Sequence, residues 1–133
     1  MSLFDGTPFI GASGRKLNWK IECDALRWED WQCLAAMAVT MMPPFSVVRG
    51  VPTGGIPFAD ALRPFCTPDT GVGLIADDVW TTGGSIAKFQ REWTDAMIGE
   101  PLELLSVVAF NRSGESLPPD AYAVLSVNRM VMP

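Results

Sequence analysis

Gly73-Leu74-Ile75-Ala76-Asp77-Asp78-Val79-Trp80-Thr81-Thr82-Gly83-Gly84-Ser85-Ile86 is the stretch that decides the fold. It opens on an apolar run, residues 72–76, that reads as a strand buried on both faces. Two acids follow, then a hydroxyl- and glycine-rich loop over 77–84. A helix over 85–98 comes next, with Ile86, Phe89, Trp93, Ala96 and Met97 on one side. Gly99 is placed to cap it.

The same alternation continues outward. Upstream, residues 24–42 carry Trp28, Trp31, Leu34, Ala35, Ala38 and Met41 at helical spacing and end at Pro43-Pro44. Residues 45–48 read as a short buried strand that runs into Arg49-Gly50-Val51-Pro52-Thr53-Gly54-Gly55. A helix is expected over 56–62 and a loop over 63–71. Downstream, strands are expected over 102–110 and 121–127, separated by a loop. Strands alternating with helices predict an α/β domain with a small parallel sheet flanked by helices. One domain over residues 1–133 is expected. Within it, residues 1–23 form a short N-terminal hood segment, irregular over 1–14 and with a short strand over 16–23, and residues 24–133 form the core.

Composition narrows the chemistry. The chain is 48% hydrophobic and 19% charged, with a net charge of −5 and no histidine. Lack of histidine removes Ser/His and Cys/His nucleophile pairs. Cys23, Cys33 and Cys66 form no CxxC pair, so a zinc site is not expected. No run approaches the roughly 18 apolar residues of a membrane span, and no leader is evident at residues 1–11, so a cytoplasmic protein with reduced thiols is expected. Scattered lysines and arginines make no basic stripe, so no nucleic-acid partner is expected.

An anion site in such a chain must lean on backbone amides. Thr81, Thr82, Gly83, Gly84 and Ser85 supply small side chains and N–H groups able to close on a monophosphate, next to the positive end of a helix dipole. Asp77 and Asp78 precede them, and ionised carboxylates are strong acceptors for sugar hydroxyls. A phosphate cradle beside hydroxyl acceptors describes a ribose 5-phosphate site. No GxxxxGK[ST] or GxGxxG motif offers a competing nucleotide site.

Residues 74–86 resemble the phosphoribosyl pyrophosphate signature of type I phosphoribosyltransferases, with Trp80 an unusual filler. Further likenesses point to the orotate phosphoribosyltransferase branch. Ala12-Ser13-Gly14-Arg15-Lys16 resembles its SGRKS-type segment. Residues 48–57 resemble its pyrophosphate loop, and Phe110-Asn111-Arg112 resembles a segment whose arginine meets the base carboxylate. The resemblance implies that Asp77 and Asp78 face the ribose hydroxyls and are the catalytic acids. It implies that residues 81–85 hold the 5-phosphate and that Arg49, Gly50 and Val51 serve the pyrophosphate. Arg112, with Lys20, would meet the base. It also implies Mg2+ carried on the substrate, a nitrogenous base as acceptor and a homodimer.

Three departures accompany the likeness. The long cationic loop of the family is replaced by residues 63–71, where Arg63 is the sole cation. Ala12 stands where lysine is usual, and Lys20 and Ile21 stand where aromatic residues are usual. Two functions are therefore carried forward: transfer of phosphoribose to an orotate-like base, and a non-catalytic phosphoribosyl pyrophosphate-binding module. Arg49, Arg112, Lys16 and Lys20 also admit plain surface readings, and Trp80 admits either core packing or ligand contact.

Overall fold

The structure is a computed structural model and describes residues 4–5, 9–10, 16–17, 20–21, 23–96, 101 and 103–127. Near the N-terminus, β1 (Phe4–Asp5) pairs antiparallel with β4 (Lys20–Ile21), and β2 (Phe9–Ile10) pairs antiparallel with β3 (Lys16–Leu17). These two-residue ribbons replace the single strand expected over 16–23. Residues 12–15 of the SGRKS-like segment lie outside the described residues.

A 3-10 turn at Cys23–Ala25 precedes α1 (Trp28–Val39), so the helix is shorter than the 24–42 expectation. The Arg27 N–H donates to Asp30 Oδ2 at 2.9 Å, which fixes the start after Arg27. The last turn tightens through Thr40 N–H to Met37 O and Met41 N–H to Ala38 O before the two prolines. Trp31, Leu34, Ala35 and Ala38 face the core as expected, whereas Trp28 and Met41, at the two ends, are 48% and 44% exposed.

Four parallel strands form the main sheet in sequential order: β5 (Val47–Gly50), β6 (Val72–Trp80), β7 (Glu103–Asn111) and β8 (Ala121–Ser126). A parallel α/β sheet is thus present, as the alternating pattern predicts. β5 and β6 are joined by α2 (Ile56–Leu62) and a 3-10 turn at Arg63–Phe65, and β6 and β7 by α3 (Gly84–Ala96). The α3 boundaries match expectation at the N-terminal end. Residues 97–100, with the expected cap Gly99, lie outside the described residues, as does Leu102.

Alternation along the strands divides the core. Leu74, Ala76, Leu105, Val107 and Ala109 join α1 and α2 on one face, around Trp31 and Phe58, whose rings lie 5.6 Å apart. Ile75 and Val108 join Ile86 and Trp93 of α3 on the other. Both crossovers step the same way across the sheet but lie on opposite faces, so they have opposite hands; one is the rare left-handed form. This direct step from β5 to β6 leaves β5 on the sheet edge. Val51 N–H donates to Ala76 O at 2.9 Å, so alternate residues turn their polar backbone to β6 and Val48 turns outward. The Arg63 guanidinium covers that outward group, donating from Nη1 to Val48 O at 3.1 Å.

A further expectation is corrected. β6 does not stop at Ala76; it runs to Trp80, pairing Asp77 with Val108, Val79 with Phe110 and Trp80 with Asn111. Both acids belong to the strand. Among the described residues no helix is long and apolar enough to cross a membrane, and the three cysteines are free thiols.

Candidate functional site

Strand ends decide what meets here. The carboxyl ends of β5, β6 and β7 bring together the glycine loop after β5, the acids of β6, the 81–85 loop and the turn after Asn111.

Asp77 is 7% exposed and Asp78 is half-buried. Each carboxylate is fixed by the next amide: Asp77 Oδ1 accepts from Asp78 N–H and Asp78 Oδ1 accepts from Val79 N–H, both at 2.8 Å. Burial, reinforced by the hydrogen bond and charge of Asp78, pushes the Asp77 carboxyl up to about 8. At neutral pH the pair therefore offers a protonated acid and a neighbouring carboxyl group. One can donate and the other accept, which suits a vicinal diol.

The glycine loop is folded hard against this pair. A β-carbon on Gly54 would strike the Asp78 carboxylate, with Cγ at 2.9 Å. One on Gly55 would strike the Ala76 carbonyl and come within 2.9 Å of Asp77 Cα and Val51 N. The loop contains a cis peptide between Pro52 and Thr53. Its amides are partly committed: Val51 N–H goes to Ala76 O, and Gly55 N–H to Val51 O at 2.9 Å. Among the described residues, the amides of Thr53 and Gly54 donate to no protein acceptor. Sequence reasoning centred on residues 49–51 and passed over these two. The glycine pair was the available signal.

After β6, Gly83 adopts φ of 81° and its carbonyl accepts from Ala87 N–H at 3.0 Å, opening α3. The Gly84 N–H donates to Thr82 Oγ1 at 3.3 Å. Thr81, Thr82, Gly84 and Ser85 are exposed and Gly83 half-buried. Among the described residues, the amides of Thr82, Gly83 and Ser85 have no protein acceptor and lie at the start of α3, where a helix leaves N–H groups open to an anion.

Arg112 follows β7, and its N–H donates to Trp80 O at 3.0 Å, tying this turn to the 81–85 loop. Burial draws its guanidinium pKa downward. The turn is set by Asn111, buried to 4%, whose Nδ2 donates to Glu115 O at 2.9 Å while Oδ1 accepts from Ser113 N–H and Oγ. Sequence reasoning missed Asn111. Its signal was an Asn-x-Ser-Gly sequence after an apolar strand, an Asx-turn pattern.

Two further sequence-nominated cations are Arg49 and Lys20. Arg49 projects from β5 to the α3 side of the sheet, where its guanidinium sits 4.8 Å from the Trp93 ring centroid. Lys20 lies in β4 opposite Asp5, and its side chain is outside the described residues. Arg63, the sole cation of the short loop, is engaged with Val48 O and, at 3.3 Å, with Asp60.

Sheet order, helix placement and the strand-to-helix loop after the acids define a type I phosphoribosyltransferase fold. The solved structures agree. Orotate phosphoribosyltransferase from Aeropyrum pernix superposes with a TM-score of 0.71 and 22% identity, covering 93% of this chain and 88% of that one. The Mycobacterium tuberculosis H37Rv orotate enzyme in complex with 5-phospho-alpha-D-ribosyl 1-diphosphate gives 0.65 and 19%, covering 89% and 86%. A Staphylococcus aureus hypoxanthine phosphoribosyltransferase gives 0.52 and 14%, covering 80% and 78%. No family sequence model matches the chain, and no curated protein matches it by sequence.

Proposed function

We propose that this chain binds phosphoribosyl pyrophosphate and transfers its ribose 5-phosphate group to a nitrogenous base, with an orotate-like acid favoured, releasing pyrophosphate. The observation that carries this is the junction of β6 and α3. A buried acid and its half-buried partner precede a loop whose amides at Thr82, Gly83 and Ser85 have no acceptor among the described residues.

In this reading the 5-phosphate takes those amides and the hydroxyls of Thr81, Thr82 and Ser85. Asp77 and Asp78 hold the ribose diol. The leaving pyrophosphate meets the Thr53 and Gly54 amides, while Arg49 acts through the packing of β5. Arg112 presents a planar fork to an acidic base. Holding sugar and base together supplies orientation, and the directed amides stabilise charge that develops on the leaving group. Magnesium fits the donor chemistry, since the Asp78 carboxyl offers hard oxygen donors and Asp77 adds more once its proton is displaced. Among the described residues no cluster of three or more ligating side chains exists, so substrate oxygens would complete its shell and it would neutralise the pyrophosphate. A cytoplasmic homodimer, with a second copy supplying cations to the open pyrophosphate side, completes the proposal.

One observation favours the second reading, a phosphoribosyl pyrophosphate-binding module without turnover. The short 63–71 connection carries one cation, and that cation is spent on the β5 edge. The two readings separate in one assay. Protein, magnesium and phosphoribosyl pyrophosphate are mixed with a panel of bases and pyrophosphate release is followed. Release with one base establishes transfer. Tight binding by calorimetry with no release leaves the module. Asp77→Asn with Asp78→Asn is expected to weaken binding without unfolding the chain, and unchanged affinity would remove the ribose contact.

A further inference from the structure

We infer that Trp80 is a positioning residue for phosphate recognition: its indole is the platform that holds the 81–85 loop in its phosphate-binding shape. The inference rests on the phosphoribose reading above and adds to it a residue that the ligand need not touch.

Trp80 is the last residue of β6, and its half-buried side chain packs on the cluster of Ile75, Ile86, Trp93 and Val108. The benzo edge of the ring meets the loop. A β-carbon on Gly83 would collide with Cζ2 and lie 2.7 Å from Cη2 and 3.0 Å from Cε2. Three consecutive atoms of the benzo ring thus underlie one glycine of the cradle. That glycine has φ of 81°, so conformation and space both require it to lack a side chain.

Little else supports the loop. Within the described residues it holds itself by the 3.3 Å contact of Gly84 N–H with Thr82 Oγ1 and the helix-opening bond of Ala87 N–H to Gly83 O. Among the described residues the amides of Thr82, Gly83 and Ser85 have no protein acceptor. A large, rigid ring between apolar core and loop backbone therefore sets where those amides point. An aliphatic side chain at position 80 fills the core side but falls short of Gly83. The Trp80 carbonyl also accepts from Arg112 N–H at 3.0 Å, so one residue joins the phosphate loop and the turn that carries Arg112.

The test is calorimetry of ribose 5-phosphate and, separately, pyrophosphate on the wild type, Trp80→Phe, Trp80→Leu and Trp80→Ala, with a thermal melt of each. The expected result is at least a tenfold loss of ribose 5-phosphate affinity in Trp80→Leu and Trp80→Ala, with pyrophosphate affinity within twofold and most of the loss recovered by Trp80→Phe. If Trp80→Ala fails to fold, the Leu and Phe pair carries the comparison. Ribose 5-phosphate binding in Trp80→Leu equal to wild type overturns the platform. So does an equal loss for both ligands, which marks general loosening. Failure of the wild type itself to bind ribose 5-phosphate overturns the phosphoribose reading and this inference with it.

Discussion

Asp78 leans on Gly54: a β-carbon at that glycine would lie 2.9 Å from the Asp78 Cγ and would overlap its carboxylate. The contact joins the loop after β5 to the acid pair of β6, two segments far apart in sequence. Because the obstructing atoms are the end of a side chain, Gly54→Ala is expected to turn Asp78 aside instead of unfolding the protein. Phosphoribosyl pyrophosphate affinity should fall on the order of tenfold, about 1.4 kcal/mol, with a small change in melting temperature. Calorimetry paired with a thermal melt checks it; an unchanged affinity removes the coupling.

Gly55 makes the opposite case. Its missing β-carbon would meet backbone, namely the Ala76 carbonyl, Asp77 Cα and Val51 N. Backbone in the centre of a sheet cannot step aside cheaply. Gly55→Ala is expected to cost about 1–3 kcal/mol of stability, the usual scale of overpacking. Urea denaturation of the two alanine variants side by side should place the stability loss at Gly55 and the ligand loss at Gly54.

Much of this arrangement was legible in the chain, for reasons that differ by segment. The apolar run from Val72 and the glycines after Thr82 announce a strand, a loop and a helix by local chemistry alone. That β6 carries on through Asp77 and Asp78 was not legible. Acids look like a turn, and only pairing with Val108 and Phe110 on β7 extends the strand past them. Arg49 shows the same limit. Its nearness to the glycine loop in sequence suggests the pyrophosphate, but strand alternation turns its side chain to the α3 face, where Trp93 takes it. Trp80 and Gly83, three residues apart, meet only because a positive-φ turn folds one onto the other.

Asp77 gives the chain a pH signature. Its carboxyl is pushed up to about 8, mainly by burial and then by Asp78, whereas an aspartate in the unfolded chain titrates near 4. Between those values the folded state binds more protons than the unfolded state, so stability falls as pH rises from about 4 toward 8. Asp77→Asn, which mimics the neutral acid, should flatten that slope and be more stable than wild type at pH 8.5. Urea melts at pH 5, 7 and 8.5 measure it; parallel slopes for both proteins would show that burial of Asp77 is not the cause.

Arg49 is expected to matter for packing more than for ligand. With its guanidinium 4.8 Å from the buried Trp93 ring, Arg49→Met should lose a cation–π contact worth about 0.5–1 kcal/mol while keeping the aliphatic stem over the ring. Pyrophosphate affinity should stay within twofold. A tenfold loss would return Arg49 to the ligand.

In the proposed function Arg112 selects the base. Its backbone is pinned by Trp80 O, and the Asn111–Ser113–Glu115 network holds the turn around it. Burial lowers its pKa, but a guanidinium stays charged near neutrality. A partly desolvated planar cation beside the proposed ribose site would reward an acceptor with a carboxylate, through two parallel hydrogen bonds. Arg112→Lys keeps the charge and loses the fork. It should therefore weaken orotate binding, measured by calorimetry with phosphoribosyl pyrophosphate present, by at least tenfold. Affinity for phosphoribosyl pyrophosphate alone should not change, because that ligand rests on Asp77, Asp78 and the 81–85 amides. If orotate and an uncharged purine base respond alike to the substitution, recognition of an acidic base is wrong. The fold shared with a hypoxanthine enzyme would then leave the acceptor to be chosen by other residues.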